Sequence, residues 1–127
     1  MIHLILLRHG ETEWHAQRRY QGQTDVPLSA VGRRQAERVA ARLAGRPIDA
    51  IYASDLGRAW ETAAVIGEAV GVEIKPEPRL REIKFGVIEG LTFDEAQARY
   101  PGLVAAWLAD PDRPIEGGES QNQFAGR

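Results

Sequence analysis

The chain has 127 residues, 43% hydrophobic and 27% charged, which is the size and balance of one soluble globular domain spanning 1–127. A formal charge of −2 gives no general attraction to nucleic acid or to an acidic membrane, and the absence of cysteine excludes disulfides and thiolate-held metals. No stretch is long and apolar enough to span a bilayer and Met1 leads straight into a strand-like run, so the expected location is the cytoplasm.

Ile2 to Leu7 is a short apolar run broken only by His3, the pattern of a buried parallel strand. A polar, glycine-containing loop is expected from Gly10 to Pro27. Ser29 is then placed to cap a helix in which Ala36, Val39, Ala40 and Leu43 share one face, and Gly45 and Pro47 stop it. Ile48 to Ala53 reads as a second strand. After "SDLGRA", a second helix carries Ala59, Thr62, Ala63, Ile66 and Val70 on one side and stops at Gly71. Val72 to Lys75 is a third strand, placed at a sheet edge by Pro76. Strand, helix, strand, helix, strand predicts an α/β fold, three-layered, with a mostly parallel sheet. Thr92 and Glu95 form a capping box for a third helix ended by Pro101, and Leu103 to Ala109 reads as a shorter one. Ser120 can cap a further helix, but a segment that short is marginal by itself. No internal repeat, low-complexity tract or linker interrupts the chain.

Ligands of open parallel sheets bind beyond the carboxyl ends of the strands. The first strand ends in Arg8-His9-Gly10 and the second in Ser54-Asp55-Leu56-Gly57-Arg58, so two arginines and a histidine meet at one edge. The chain's cations are almost all arginine, the only lysines being Lys75 and Lys84, and the guanidinium fork suits carboxylate and phosphate. A small dianion is the expected ligand, with Gly10 allowing close backbone approach and the helix N-terminus beside Arg58 adding positive charge. His9 suits a general base, a metal ligand or a nucleophile. Metal binding needs partners, and His3 should point along its strand away from the site, so no metal is expected. Attack on phosphorus fits better: a neutral imidazole with one nitrogen tied down attacks through the other, while arginines neutralise the phosphoryl oxygens.

Arg-His-Gly alone is a weak signal. With "GQTDVPLSAVG", "YASDLGRAWETA", "LREIKFGVIEG" and "GGES" in the same order, the chain resembles the histidine phosphatase (phosphoglycerate mutase-like) superfamily over essentially its whole length. The resemblance implies a phosphoglycerate mutase-like fold and a transiently phosphorylated His9. It also implies that Arg8 and Arg58 bind the phosphoryl group and that Glu82 protonates the leaving oxygen. A carboxyl group partly screened from water has the raised pKa that such a proton donor needs, whereas an exposed Glu82 would instead pair with Arg79 or Arg81. Gln21 and Gly22 fall where relatives contact substrate, and a structural turn fits them equally well. His15 stands where relatives usually have asparagine; it suits either an anion or packing beside Trp14.

The family's second catalytic histidine lies on a strand well beyond "GGES", and the sequence ends at Arg127. The expectation is therefore a member lacking its C-terminal strands, which either pairs its first two strands directly or borrows structure from a second copy as a homodimer. "REIKFGVIEG" followed by "GGES" is more similar to the phosphatase branch, which includes broad-specificity and α-ribazole phosphatases, than to the cofactor-dependent mutases with their longer insertion. Hydrolysis of a small phosphorylated metabolite, without a cofactor and slowed by the missing histidine, is the first expectation. Phosphoglycerate mutase-type transfer is the alternative within the family, and a non-catalytic phosphate-binding remnant the alternative outside it.

Overall fold

Helix periodicity and caps shape the first half of the chain, seen in a computed structural model that describes all residues from Met1 to Arg127. A single turn, α1 (Glu13–Ala16), is capped by Thr12. Ser29 caps α2 (Ala30–Leu43) by accepting from Gly32 N–H, and this helix buries Gly32, Ala36, Ala40 and Leu43, a face spaced as a 3.6-residue repeat requires. Strand β1 (Ile51–Ala53) leads into α3 (Gly57–Val70), which ends at Gly71 in the left-handed conformation with φ of 72°. Strand β2 (Ile74–Pro76) pairs parallel with β1, with Ile51 opposite Ile74. Ala40, Leu43 and Ile66 form a small core between α2 and α3, flanked by Val39, Ile51, Val65 and Val70.

The second half builds its own core. Two 3₁₀ turns (Pro78–Leu80 and Gly86–Ile88) precede α4 (Phe93–Arg99), whose capping box joins Thr92 and Glu95 as expected. Helix α5 (Leu103–Ala109) follows. Ile88, Ala96, Val104 and Ile115 are buried together beneath Tyr20, Phe85 and Trp107. Backbone bonds Tyr20 N–H to Leu91 O (2.9 Å) and Gly90 N–H to Tyr20 O (2.8 Å) tie this core to the loop after α1.

The α/β class and the parallel pairing follow the predicted order of elements, but three local expectations change. Residues 2–7 form no strand. A strand exists through the partner of its backbone groups, and β1 pairs only with β2, so direct pairing of the first two strands, one of the two expected alternatives, does not occur. Ile2, Leu4 and Leu6 lie 77% or more exposed. The accessible surface of 8245 Å² accordingly exceeds the roughly 6,700 Å² that size scaling gives a compact monomer of this mass. Secondly, the loop expected from Gly10 to Pro27 contains α1, too short to show periodicity. Thirdly, a last helix, α6 (Gln121–Ala125), does form. Ser120 and Gln123 make a capping box, and Arg127 behind it donates to the carbonyls of Arg79 (2.7 Å), Arg81 (2.9 Å) and Glu82 (3.0 Å). That side chain anchors a helix too short to persist unaided.

Candidate active site

Arg8, His9, His15, Gln21, Gly22, Arg58 and Glu82 all line one cavity of about 220 Å³, together with Arg18, Arg19, Tyr20 and Phe85. Gly10 is the predicted site residue that lies outside it. Its N–H is spent on Thr62 Oγ1 (3.1 Å), and the close backbone approach expected of it is made to helix α2 instead of a ligand. Gly10 and Gly32 cross so tightly that a Cβ at Gly10 would run into the backbone of Gly32.

The Gly10 carbonyl fixes the imidazole. His9 Nδ1 lies 2.7 Å from Gly10 O, a distance that makes Nδ1 the protonated nitrogen and leaves a lone pair on Nε2. Arg58 Nε donates to that Nε2 at 3.2 Å. Burial, and after it the cations Arg58 and Arg8, hold His9 below the usual imidazole range, against the opposing pull of the Gly10 carbonyl and Glu82. A neutral imidazole with a directed lone pair results.

Arg58 is 1% exposed and has no carboxylate in ion-pair contact. Two carbonyls carry it instead: Nη1 donates to Thr24 O (2.9 Å) and Nη2 to Gly22 O (2.5 Å). Burial pulls its pKa down, with Glu82, Asp25 and Glu89 acting in the other direction. The N-terminus of α3 is already occupied, since Gly57 N–H donates to Asp25 Oδ1 at 2.8 Å. Arg8, by contrast, is exposed.

Glu82 is exposed, not screened, and its Oε1 accepts from Ile83 N–H at 2.8 Å. Neither arginine expected to pair with it does so: Arg79 bonds Glu77, and Arg81 bonds Asp55. His15 is exposed, and Gln21 accepts from the Thr12 hydroxyl. No cluster of three or more His, Cys, Asp or Glu side chains is placed to hold a metal ion, and no helix is long and apolar enough to cross a membrane.

Sequence reasoning missed Glu89. Its Oε1 accepts from Gln23 N–H (3.1 Å) and Phe85 N–H (3.0 Å), and its Oε2 from Thr24 N–H (3.1 Å) and the Thr24 hydroxyl. One carboxylate thus holds the loop whose carbonyls hold Arg58. Gly22, with φ of +54°, packs against it so closely that a Cβ would meet the carboxylate. The only sequence signal was an acid inside an otherwise apolar "GVIEG".

A family model described as histidine phosphatase superfamily (branch 1) matches residues 4–127. A probable phosphoglycerate mutase GpmB of Serratia proteamaculans is 50% identical over 132 residues, covering 100% of this chain and 60% of that protein. The protein of the same name from Yersinia enterocolitica is 49% identical over 104 residues, 78% of this chain and 48% of its own. The chain therefore spans at most about 60% of the length of these curated relatives. Among solved structures, mycobacterial glucosyl-3-phosphoglycerate phosphatase in complex with VO₃ superposes with a TM-score of 0.83 at 40% identity, over 93% of this chain and 59% of that one. A putative α-ribazole-5′-P phosphatase from Escherichia coli gives 0.86 at 29% identity, over 94% and 60%.

Proposed function

Since this chain belongs to the histidine phosphatase superfamily, we propose that it hydrolyses a phosphomonoester through a phosphohistidine on His9. The observation that carries the reading is the fixed tautomer: Nδ1–H held by the Gly10 carbonyl, with the Nε2 lone pair directed into an arginine-lined cavity. The Nε2 lone pair attacks phosphorus and the bond to the ester oxygen breaks. Arg58 Nε transfers its hydrogen bond from Nε2 to a phosphoryl oxygen, while Gly22 O and Thr24 O keep the guanidinium in place. Arg8 supplies the second cation. Glu82, exposed in the open cavity, is covered by the bound ester and protonates the leaving alkoxide, and water then takes the phosphoryl group from His9. No cofactor enters this sequence.

The names of the curated relatives favour a second reading, phosphoryl transfer between hydroxyls. Such transfer needs a phosphoenzyme shielded from water. Arg8, His15 and Glu82 are open to water in this chain, and hydrolysis is the reading that needs no such shield. The substrate is a small phosphorylated metabolite. A third reading, phosphate binding without turnover, follows if charge in the transition state goes under-stabilised; losing one such donor typically costs about 10²–10³ in rate.

The test is hydrolysis of p-nitrophenyl phosphate by the chain and by His9→Ala, with acid-labile, base-stable label trapped from ³²P-substrate. Turnover and label that both vanish with His9→Ala support the reading. Equal background rates with phosphate still bound support the non-catalytic one.

A further inference from the structure

Arg18 is the only non-glycine residue with a positive φ, at 57°. It sits where α1 ends in a Schellman motif: Arg18 N–H donates to His15 O (3.0 Å) and Arg19 N–H to Trp14 O (2.8 Å). Glycine is the usual residue at this position, because an L side chain is strained there. The same chain uses Gly71 for the equivalent turn after α3. An arginine at the end of α1 thus costs stability that glycine would keep, and the residue lines the candidate active-site cavity.

Two of the other three arginines there are bonded to the protein, while Arg8, like Arg18, has no side-chain partner and is the one assigned above to the phosphoryl group. Arg19 bonds Gly90 O (2.7 Å) and Glu95 (2.6 Å), and Arg58 bonds Gly22 O, Thr24 O and His9. Arg18 takes part in none of the chain's five ion pairs. Four arginines and one carboxylate, Glu82, line the cavity. A phosphoryl dianion held by Arg8 and Arg58 leaves the charge of Arg18 unanswered. The cavity of about 220 Å³ is several times the roughly 30 Å³ of one liquid water, which leaves room beside a phosphoryl group.

We propose that Arg18 determines specificity by holding a second anionic group of the substrate, a carboxylate or a second phosphate, from the left-handed turn that sets the residue at the wall of the cavity. The inference rests on the phosphomonoester reading above. It distinguishes substrates that are phosphorylated acids from phosphorylated alcohols, since only the former carry a group for Arg18 to grip.

Calorimetric titration at fixed ionic strength tests this with phenyl phosphate, 4-carboxyphenyl phosphate and 1,4-phenylene bisphosphate against the chain, Arg18→Gln and Arg18→Gly. The chain should bind the better of the two doubly anionic ligands about tenfold more tightly than phenyl phosphate, a gain expected of one charge-assisted contact. Which of the two gains more assigns carboxylate or phosphate as the second group. In both variants the preference should fall to about one, while phenyl phosphate loses no more than about threefold. Arg18→Gly should also raise Tm by a few degrees as it relieves the turn, so a lost preference cannot be ascribed to unfolding. A preference surviving in both variants overturns the proposal, as does its absence from a chain that still binds phenyl phosphate. Failure of all three ligands to bind the chain overturns the phosphomonoester reading and this inference with it.

Discussion

Removing the Glu89 carboxylate should loosen the site from behind. Glu89→Ala leaves three backbone N–H groups, of Gln23, Thr24 and Phe85, and the Thr24 hydroxyl without their acceptor. Each bond to a charged acceptor is worth about 1.5–3 kcal/mol where water is excluded, and less here because the loop is half-buried and water can substitute. Taking somewhat under about 1 kcal/mol for each gives a loss near 3 kcal/mol. The whole chain has about 6–19 kcal/mol at typical stability per residue, so the loss is a large fraction. Thermal unfolding should fall by about 10–15 °C. Glu89→Gln keeps one acceptor oxygen and turns its amide donors towards the other N–H groups, so about half the loss is expected. Hydrogen exchange should quicken first at the amides of Gln23, Thr24 and Phe85. Phosphate affinity should drop as well, because the Gly22 and Thr24 carbonyls that carry Arg58 lie on the loosened loop. A stability change below about 0.5 kcal/mol for Glu89→Ala, or equal effects of alanine and glutamine, would refute the claim that this carboxylate organises the loop.

The depressed pKa of His9 places its titration below pH 6.5, which NMR of the imidazole C–H resonances checks directly. The unfolded chain takes up the His9 proton near pH 6.5 and the folded chain only at lower pH. Stability therefore holds fully above 6.5 and declines as pH falls through the folded value, and any turnover through a neutral His9 loses its acid limb over the same window. Thr62→Val, which strips the Gly10 N–H of its buried acceptor, should cost about 1–3 kcal/mol in chemical denaturation. Arg81→Ala breaks only a half-exposed pair with Asp55, and a loss above about 1 kcal/mol in the same assay would contradict that assignment.

What was legible in the sequence was whatever a segment specifies by itself. Ser29, the Thr92–Glu95 box and Gly71 located helix ends because caps act over three or four residues, and the α2 face followed from its repeat. Ile2 to Leu7 has the composition of a strand, yet pairing belongs to a partner that its own residues do not encode. The convergence of Arg8, His9, Arg58 and Glu82 on one cavity was readable from strand ends and ordered motifs. The support behind them was not. Glu89 reaches Gln23 across 66 positions, and Arg127 reaches Glu82 across 45, with side chains that obey no spacing rule.

The crossing of Gly10 and Gly32 has a consequence for how this domain can drift. The imidazole is located by a point where two stretches of main chain touch, with no side chain between them. Apolar residues elsewhere can be exchanged, enlarged or trimmed without altering that point, since it contains nothing to repack. Change among the apolar residues of α2 and α3 should accordingly accumulate while the imidazole keeps its address, until a single methyl group at either glycine removes it.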